Sequence, residues 1–282
     1  MKKFSSLLAI SSAILTIAVL TGCEGEGTGS APQNLLLVGT NYGQEVLISW
    51  EEPIEGTPNS YIVYFLALDT TDFVVGATVD GDSLEYTHDP GGITGDYYVA
   101  AKFGGTEYSS DTLTTIPVHT DVLAISELNA TGNSGYGWNL TGGFTGTTYS
   151  MTEINNAAAV DFYVTNLIDD SLAPPWPAPW NIASPDTAPT DPGGTLVPQA
   201  PWRESWFSDP LLDPQAMLPN FAPTTYFKTM SGIEIDTTYI GVFLGAEEHY
   251  GLVKFFGADT LTGAIMVESW FQTVQGLRLL AH

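Results

Sequence analysis

Thirteen of the chain's eighteen prolines fall in one 51-residue stretch, Ala173 to Pro223, which also carries Trp176, Trp180, Trp202 and Trp206. A proline lacks the backbone N–H and has a fixed φ, so this density predicts neither a long helix nor a central strand there. A long segment without regular structure needs apolar anchors, and an indole is costly to leave in water. Two readings are open. The four tryptophans pack on a neighbouring β unit as a plug, or they present flat apolar faces to a ligand such as a glycan ring or a protein surface.

The flanking sequence has the two-residue period of half-buried strands. Val46, Ile48 and Trp50 alternate with Leu47 and Ser49, and Tyr61, Val63 and Phe65 repeat the pattern. A Gly-Asp turn lies between Thr78 and Glu85, Asp89-Pro90-Gly91-Gly92 is a turn signal, and Tyr97 to Ala101 reads as the next strand. Beyond a junction at Pro117 to Asp121, strand-like pattern recurs over Ala159 to Val164, Gly232 to Phe243, His249 to Phe256 and Ala264 to Leu280. Thr260 to Gly263 is the expected hairpin turn between the last two. The chain is therefore expected to be mainly β, with a sandwich over 31–118 and a second antiparallel β domain over 119–282 that carries the 173–223 loop.

The first unit resembles a fibronectin type III domain. The resemblance rests on Ala31-Pro32, on Val46-x-Ile48-x-Trp50 followed by Pro53, on Tyr61-x-Val63-Tyr64, and on Tyr97-x-Val99-x-Ala101. It implies a seven-strand sandwich with Trp50 as the core indole and Tyr97 as the tyrosine that ties its strand to the preceding corner. The closing segments His249 to Phe256, Val267 to Gln272 and Gly276 to Leu280 resemble, more distantly, the HmuY-like haem-binding fold. No histidine here matches a haem ligand of that family, so haem is not carried over.

Lys2 and Lys3 precede an apolar run from Leu7 to Leu20, too short to span a bilayer, and the only cysteine follows at Cys23. Leu20-Thr21-Gly22-Cys23 is similar to the lipobox of bacterial lipoproteins. The similarity implies that residues 1–22 are an export signal and that the Cys23 thiol carries diacylglycerol, with 23–30 as a flexible tether. Glu24 after that cysteine fits sorting to the outer membrane. Membrane lipid is thus the expected partner of Cys23. Once that thiol is used, no disulfide or cysteine nucleophile can form.

Removing residues 1–22 leaves a net charge of 5 − 32 = −27 on 260 residues. That excess argues against nucleic acid and favours, if any ion, a divalent cation such as calcium. Asp80, Asp82, Glu85 and Asp89 are the acids near enough in sequence to be considered, but they lack the spacing of a calcium loop. His88, His119, His249 and His282 have no metal-ligand spacing. Gly132-Asn-Ser134-Gly135 falls one residue short of a nucleophile elbow. The adjacent acids Glu51-Glu52, Asp169-Asp170 and Glu247-Glu248 would point to opposite faces of a strand, so none is a glycosidase pair by itself. The expectation is a non-catalytic, lipid-anchored envelope binding or adhesion protein whose partner is a glycan or an envelope protein. The alternatives are a self-associating structural component and a polysaccharide-processing enzyme with the sandwich as accessory module.

Overall fold

The computed structural model describes residues 28–166, 174–187, 202–214, 216–219, 230–233 and 237–282. Eight strands form the first unit: β1 (Gln33–Thr40), β2 (Glu45–Glu51), β3 (Ser60–Ala67), β4 (Val74–Asp80), β5 (Glu85–His88), β6 (Gly95–Phe103), β7 (Thr106–Ser109) and β8 (Leu113–Thr114). One sheet runs β1-β2-β5 and the other β4-β3-β6-β7, with β8 continuing β7 along β6. All pairings are antiparallel. Three strands facing four in this order is the arrangement of a fibronectin type III sandwich.

The alternation read in the sequence produces this core directly. Val46, Ile48 and Trp50 point inward from one sheet and Tyr61, Val63, Phe65, Tyr97, Val99 and Ala101 from the other, all buried. Trp50 lies against Tyr61 with ring centroids 5.2 Å apart. The Tyr97 hydroxyl meets Nδ1 of His88 at 2.8 Å, immediately before the Asp89 to Gly92 turn. The corner is thus tied through a side chain.

The second unit is also a sandwich, of two five-stranded antiparallel sheets. Its strands are β9 (Val118–Ser126), β10 (Gly135–Trp138), β11 (Gly146–Tyr149), β12 (Phe162–Thr165), β13 (Trp180–Ala183), β14 (Ser205–Phe207), β15 (Met230–Ile233), β16 (Thr238–Leu244), β17 (His249–Asp259) and β18 (Ala264–Phe271). The sheets run β11-β10-β12-β13-β15 and β14-β16-β17-β18-β9. Aromatic rings fill the space between them. Phe162 meets Phe255 at 6.0 Å and Trp138 meets Phe271 at 5.1 Å.

Four sequence expectations need correction here. The proline-rich stretch does contribute a central strand: β13 pairs with β12 on one side and β15 on the other. Proline removes a donor only at its own position, and Trp180 to Ser184 is a proline-free window between Pro179 and Pro185. The strand expected from Ala159 starts at Phe162, because Ile154–Ala159 is a 3-10 helix. The run Gly232 to Phe243 is split between two strands, β15 and β16, in opposite sheets. The last run stops at Phe271, where the chain leaves the sheet.

Beyond Phe271 the chain turns back and joins the two units. Val274, Leu277 and Leu279 enter the core of the first sandwich. The fully buried Gln272 side chain donates to the Thr115 carbonyl at 2.9 Å and to the Leu279 carbonyl at 2.7 Å, while its oxygen accepts from Val274 N–H. Buried Arg278 donates to the carbonyls of Tyr42 and Leu218. Gly39 N–H donates to the Gln275 carbonyl at 2.8 Å. A Cβ on Gly39 would sit 2.3 Å from the Gly276 carbonyl carbon, so the two backbones meet where only glycine fits.

Candidate functional site

Cys23 and the Asp169-Asp170 pair lie outside the described residues. The four tryptophans do not form one surface. Trp180 is 2% exposed and Trp176 6%, both inside the sandwich core. The Trp180 indole N–H donates to the Trp176 carbonyl at 3.2 Å, and Trp176 N–H to the Thr260 carbonyl at 2.8 Å. These two are therefore anchors, and the reading of Trp176 and Trp180 as ligand-facing does not hold: Trp180 enters the core from β13 and Trp176 from the segment just before it.

Trp202 and Trp206 are half-buried, on opposite outer faces. Trp202 packs with Leu128, Met151, Val160, Tyr163 and Ala183 over one sheet. Trp206, in β14, stands opposite Phe243, which in turn stands opposite Tyr250. The Phe243 and Tyr250 rings are 4.7 Å apart. The segment around 209–219 crosses this second face. Leu211 exchanges backbone hydrogen bonds with Tyr239, and Leu218 N–H donates to the Arg278 carbonyl at 3.0 Å. Leu218, Leu252, Trp270 and Leu280 form a small apolar cluster beneath it.

That crossing walls off a cleft of about 380 Å³ at the seam between the units, within the usual range for small-molecule sites. Leu68, Asp69 and Ile93 come from the first sandwich, Pro214 and Ala216 from the crossing segment, and Leu280, Ala281 and His282 from the final turn. The walls are mostly apolar, with one carboxylate and one imidazole. The His282 ring stacks on Trp270 at 4.0 Å, and the His119 ring stacks on the same indole at 5.1 Å. Beside the stack, burial works against the Glu268 carboxylate. Hydrogen bonds from Lys254 and His119, both 2.9 Å, outweigh it and hold the pKa below the ordinary value.

One charged pair escaped sequence reasoning. Asp161 is fully buried, and burial pushes its pKa up to about 6. Arg203 at 2.9 Å and the Trp138 N–H at 2.7 Å pull the other way. Arg203 is the only basic residue between Ala173 and Pro223, which was the available signal. Nearby, the Tyr136 hydroxyl and the Trp138 indole N–H both meet Ser269 Oγ, at 2.6 and 3.1 Å. These groups bind the two sheets together.

Ser134 is buried in the turn into β10, and its carbonyl accepts from Val164 N–H at 3.0 Å. Among the described residues no three His, Cys, Asp or Glu side chains gather to hold a metal, so Asp80, Asp82, Glu85 and Asp89 do not form a calcium cage. No described helix is long and apolar enough to cross a membrane.

No family model matches the sequence, and no curated relative was found. In structure the chain is similar to the FN5 domain of Drosophila Lar, at 18% identity over 31% of this chain and 94% of that one, with a TM-score of 0.26. It is similar to a Fn3-like protein from Clostridium thermocellum, at 24% identity over 30% and 90% of the two chains, with a TM-score of 0.27. A DUF4466 family protein from Parabacteroides merdae aligns over 86% of this chain and 99% of its own, at 12% identity and a TM-score of 0.41.

Proposed function

We propose that this chain is a non-catalytic binding protein of the bacterial cell envelope, held by lipid on Cys23, that takes a glycan end into the seam cleft. The observation that carries the reading is the cleft itself. The first sandwich, the crossing segment and the final turn contribute to it, and its apolar walls with Asp69 and His282 offer ring packing and directed hydrogen bonds to a saccharide. A strongly negative chain favours uncharged or cationic ligands over polyanions. The lipobox-like Leu20 to Cys23 supports the anchor, and Glu24 supports the outer membrane. The distant HmuY-like resemblance adds no ligand to this reading.

The test uses the whole chain, because Val274, Leu277 and Leu279 belong to the core of the first sandwich. Mass spectrometry of the protein extracted from membranes is expected to find Cys23 as the acylated first residue. Neutral glycans immobilised as an array are expected to retain the protein, with Asp69→Asn and His282→Ala each weakening retention by about tenfold. Retention unchanged by either substitution would remove the cleft from the account, and an unmodified Cys23 would remove the anchor.

A further inference from the structure

A different surface, on the first sandwich, points to a protein partner independently of the cleft. Strand β4 bonds to β3 on one side only. None of its seven residues is buried, and Val74 and Val75 are 58% and 57% exposed. Neighbouring residues on a strand point to opposite faces, so exposure of both means that the start of β4 overhangs the smaller sheet, while Ala77 and Val79 further along pack against the core. Among the described residues no strand pairs with its other edge, and apart from the irregularity at Gly76 it has neither the proline nor the lysine that commonly guards such an edge. Two other edge strands carry contacts from elsewhere: Gly39 N–H of β1 donates to the Gln275 carbonyl, and the Thr120 hydroxyl of β9 accepts from Gly146 N–H at 2.7 Å.

Charge and aromatic rings select the occupant. Residues 31–118 hold thirteen carboxylates and a single basic residue, Lys102, which lies 3.8 Å from Glu107. Exposed Asp72 precedes β4, Asp80 closes it and Asp82 follows. On the outer face of the same sheet Phe73 meets Tyr98 at 4.8 Å, and Tyr98 stacks on Tyr64 at 4.6 Å. Such rings attract ammonium and guanidinium groups. A second copy is a poor occupant, since antiparallel pairing of β4 with itself in full register sets Asp72 of one copy against Asp82 of the other.

We propose that β4 is a docking edge that takes up an extended, basic segment of a partner protein as an added strand. Backbone pairing supplies the register. The flanking carboxylates and the Phe73, Tyr98 and Tyr64 rings supply the preference for Lys and Arg over acidic or neutral sequence.

The probe is a synthetic capped peptide of alternating Lys and Val, with an alternating Glu and Val peptide as counterpart, tested by hydrogen exchange on the full chain. The Lys peptide is expected to slow amide exchange across Val74 to Asp80 by about fivefold or more. Asp72→Lys with Asp80→Lys is expected to weaken its binding by about tenfold, with the melting temperature unchanged. Val75→Lys, which places a cation on the edge while keeping the loop acids, is expected to weaken it too. Protection elsewhere, equal binding of the Glu peptide, or concentration-dependent protection of β4 without peptide would overturn the proposal, the last by making a second copy the occupant.

Discussion

The two sandwiches reach similar architecture by different routes. In the first, each strand pairs mostly with near neighbours in sequence, joined by short turns, and its core is aromatic and aliphatic. In the second, β9 pairs with β18, some 140 residues later, and β14 and β13 sit in opposite sheets although one proline-rich stretch supplies both. Its core also contains a buried carboxylate paired with a half-buried guanidinium, and a shared serine. Local order makes a unit readable from its pattern; distant pairing makes it depend on a few specific side chains.

The sharpest test of that contrast removes one indole from each core. Trp180→Ala and Trp50→Ala should each cost about 3–5 kcal/mol, the usual range for losing a buried tryptophan. Because the segment after Phe271 enters the first core, urea unfolding followed by two probes should show a single transition for both variants. Separate transitions would mean that the units are energetically independent.

Next in size is Asp161→Asn. Folded Asp161 keeps its proton to about pH 6, against 3.8 as the ordinary value, so between these limits the folded chain binds more protons than the unfolded one. Its contribution to stability therefore falls as pH rises through that window, by about 2–3 kcal/mol in all. The variant lacks this slope. Urea midpoints of the two proteins measured at several pH values should converge or cross accordingly, and parallel curves would show that the Arg203 pair cancels the burial effect.

Gly39→Val is expected to cost about 1–2 kcal/mol by forcing the close backbone approach at Gly276 apart. Hydrogen exchange should rise across Val274 to Leu280 before it rises in β13. A uniform rise would place the seam within one cooperative unit and narrow the contrast between the sandwiches.

Much of the first unit was legible. Period-two burial of Val46, Ile48 and Trp50 and the turn at Asp89 to Gly92 specify strands and corners by local chemistry alone. The second unit was legible as β but not in its sheet membership. Nothing near Trp180 says that its strand lies between β12 and β15 with Ile233 opposite the indole, and averaging prolines over 51 residues hid the free window that became β13. The seam cleft was not legible, since its walls come from positions as far apart as Leu68 and His282. The alternation ending at Leu280 suggested one more strand, but the buried Gln272 amide turns the chain toward Thr115 instead.

That turn sets an order of events during biosynthesis. The first sandwich is built from residues 33–114, yet three of its interior side chains are Val274, Leu277 and Leu279. It cannot close fully until about 160 further residues have been translated, on the order of ten seconds or more at ordinary ribosome speed. For that interval the nascent first sandwich leaves part of its apolar interior open to water, the condition in which a growing chain meets chaperones or aggregates.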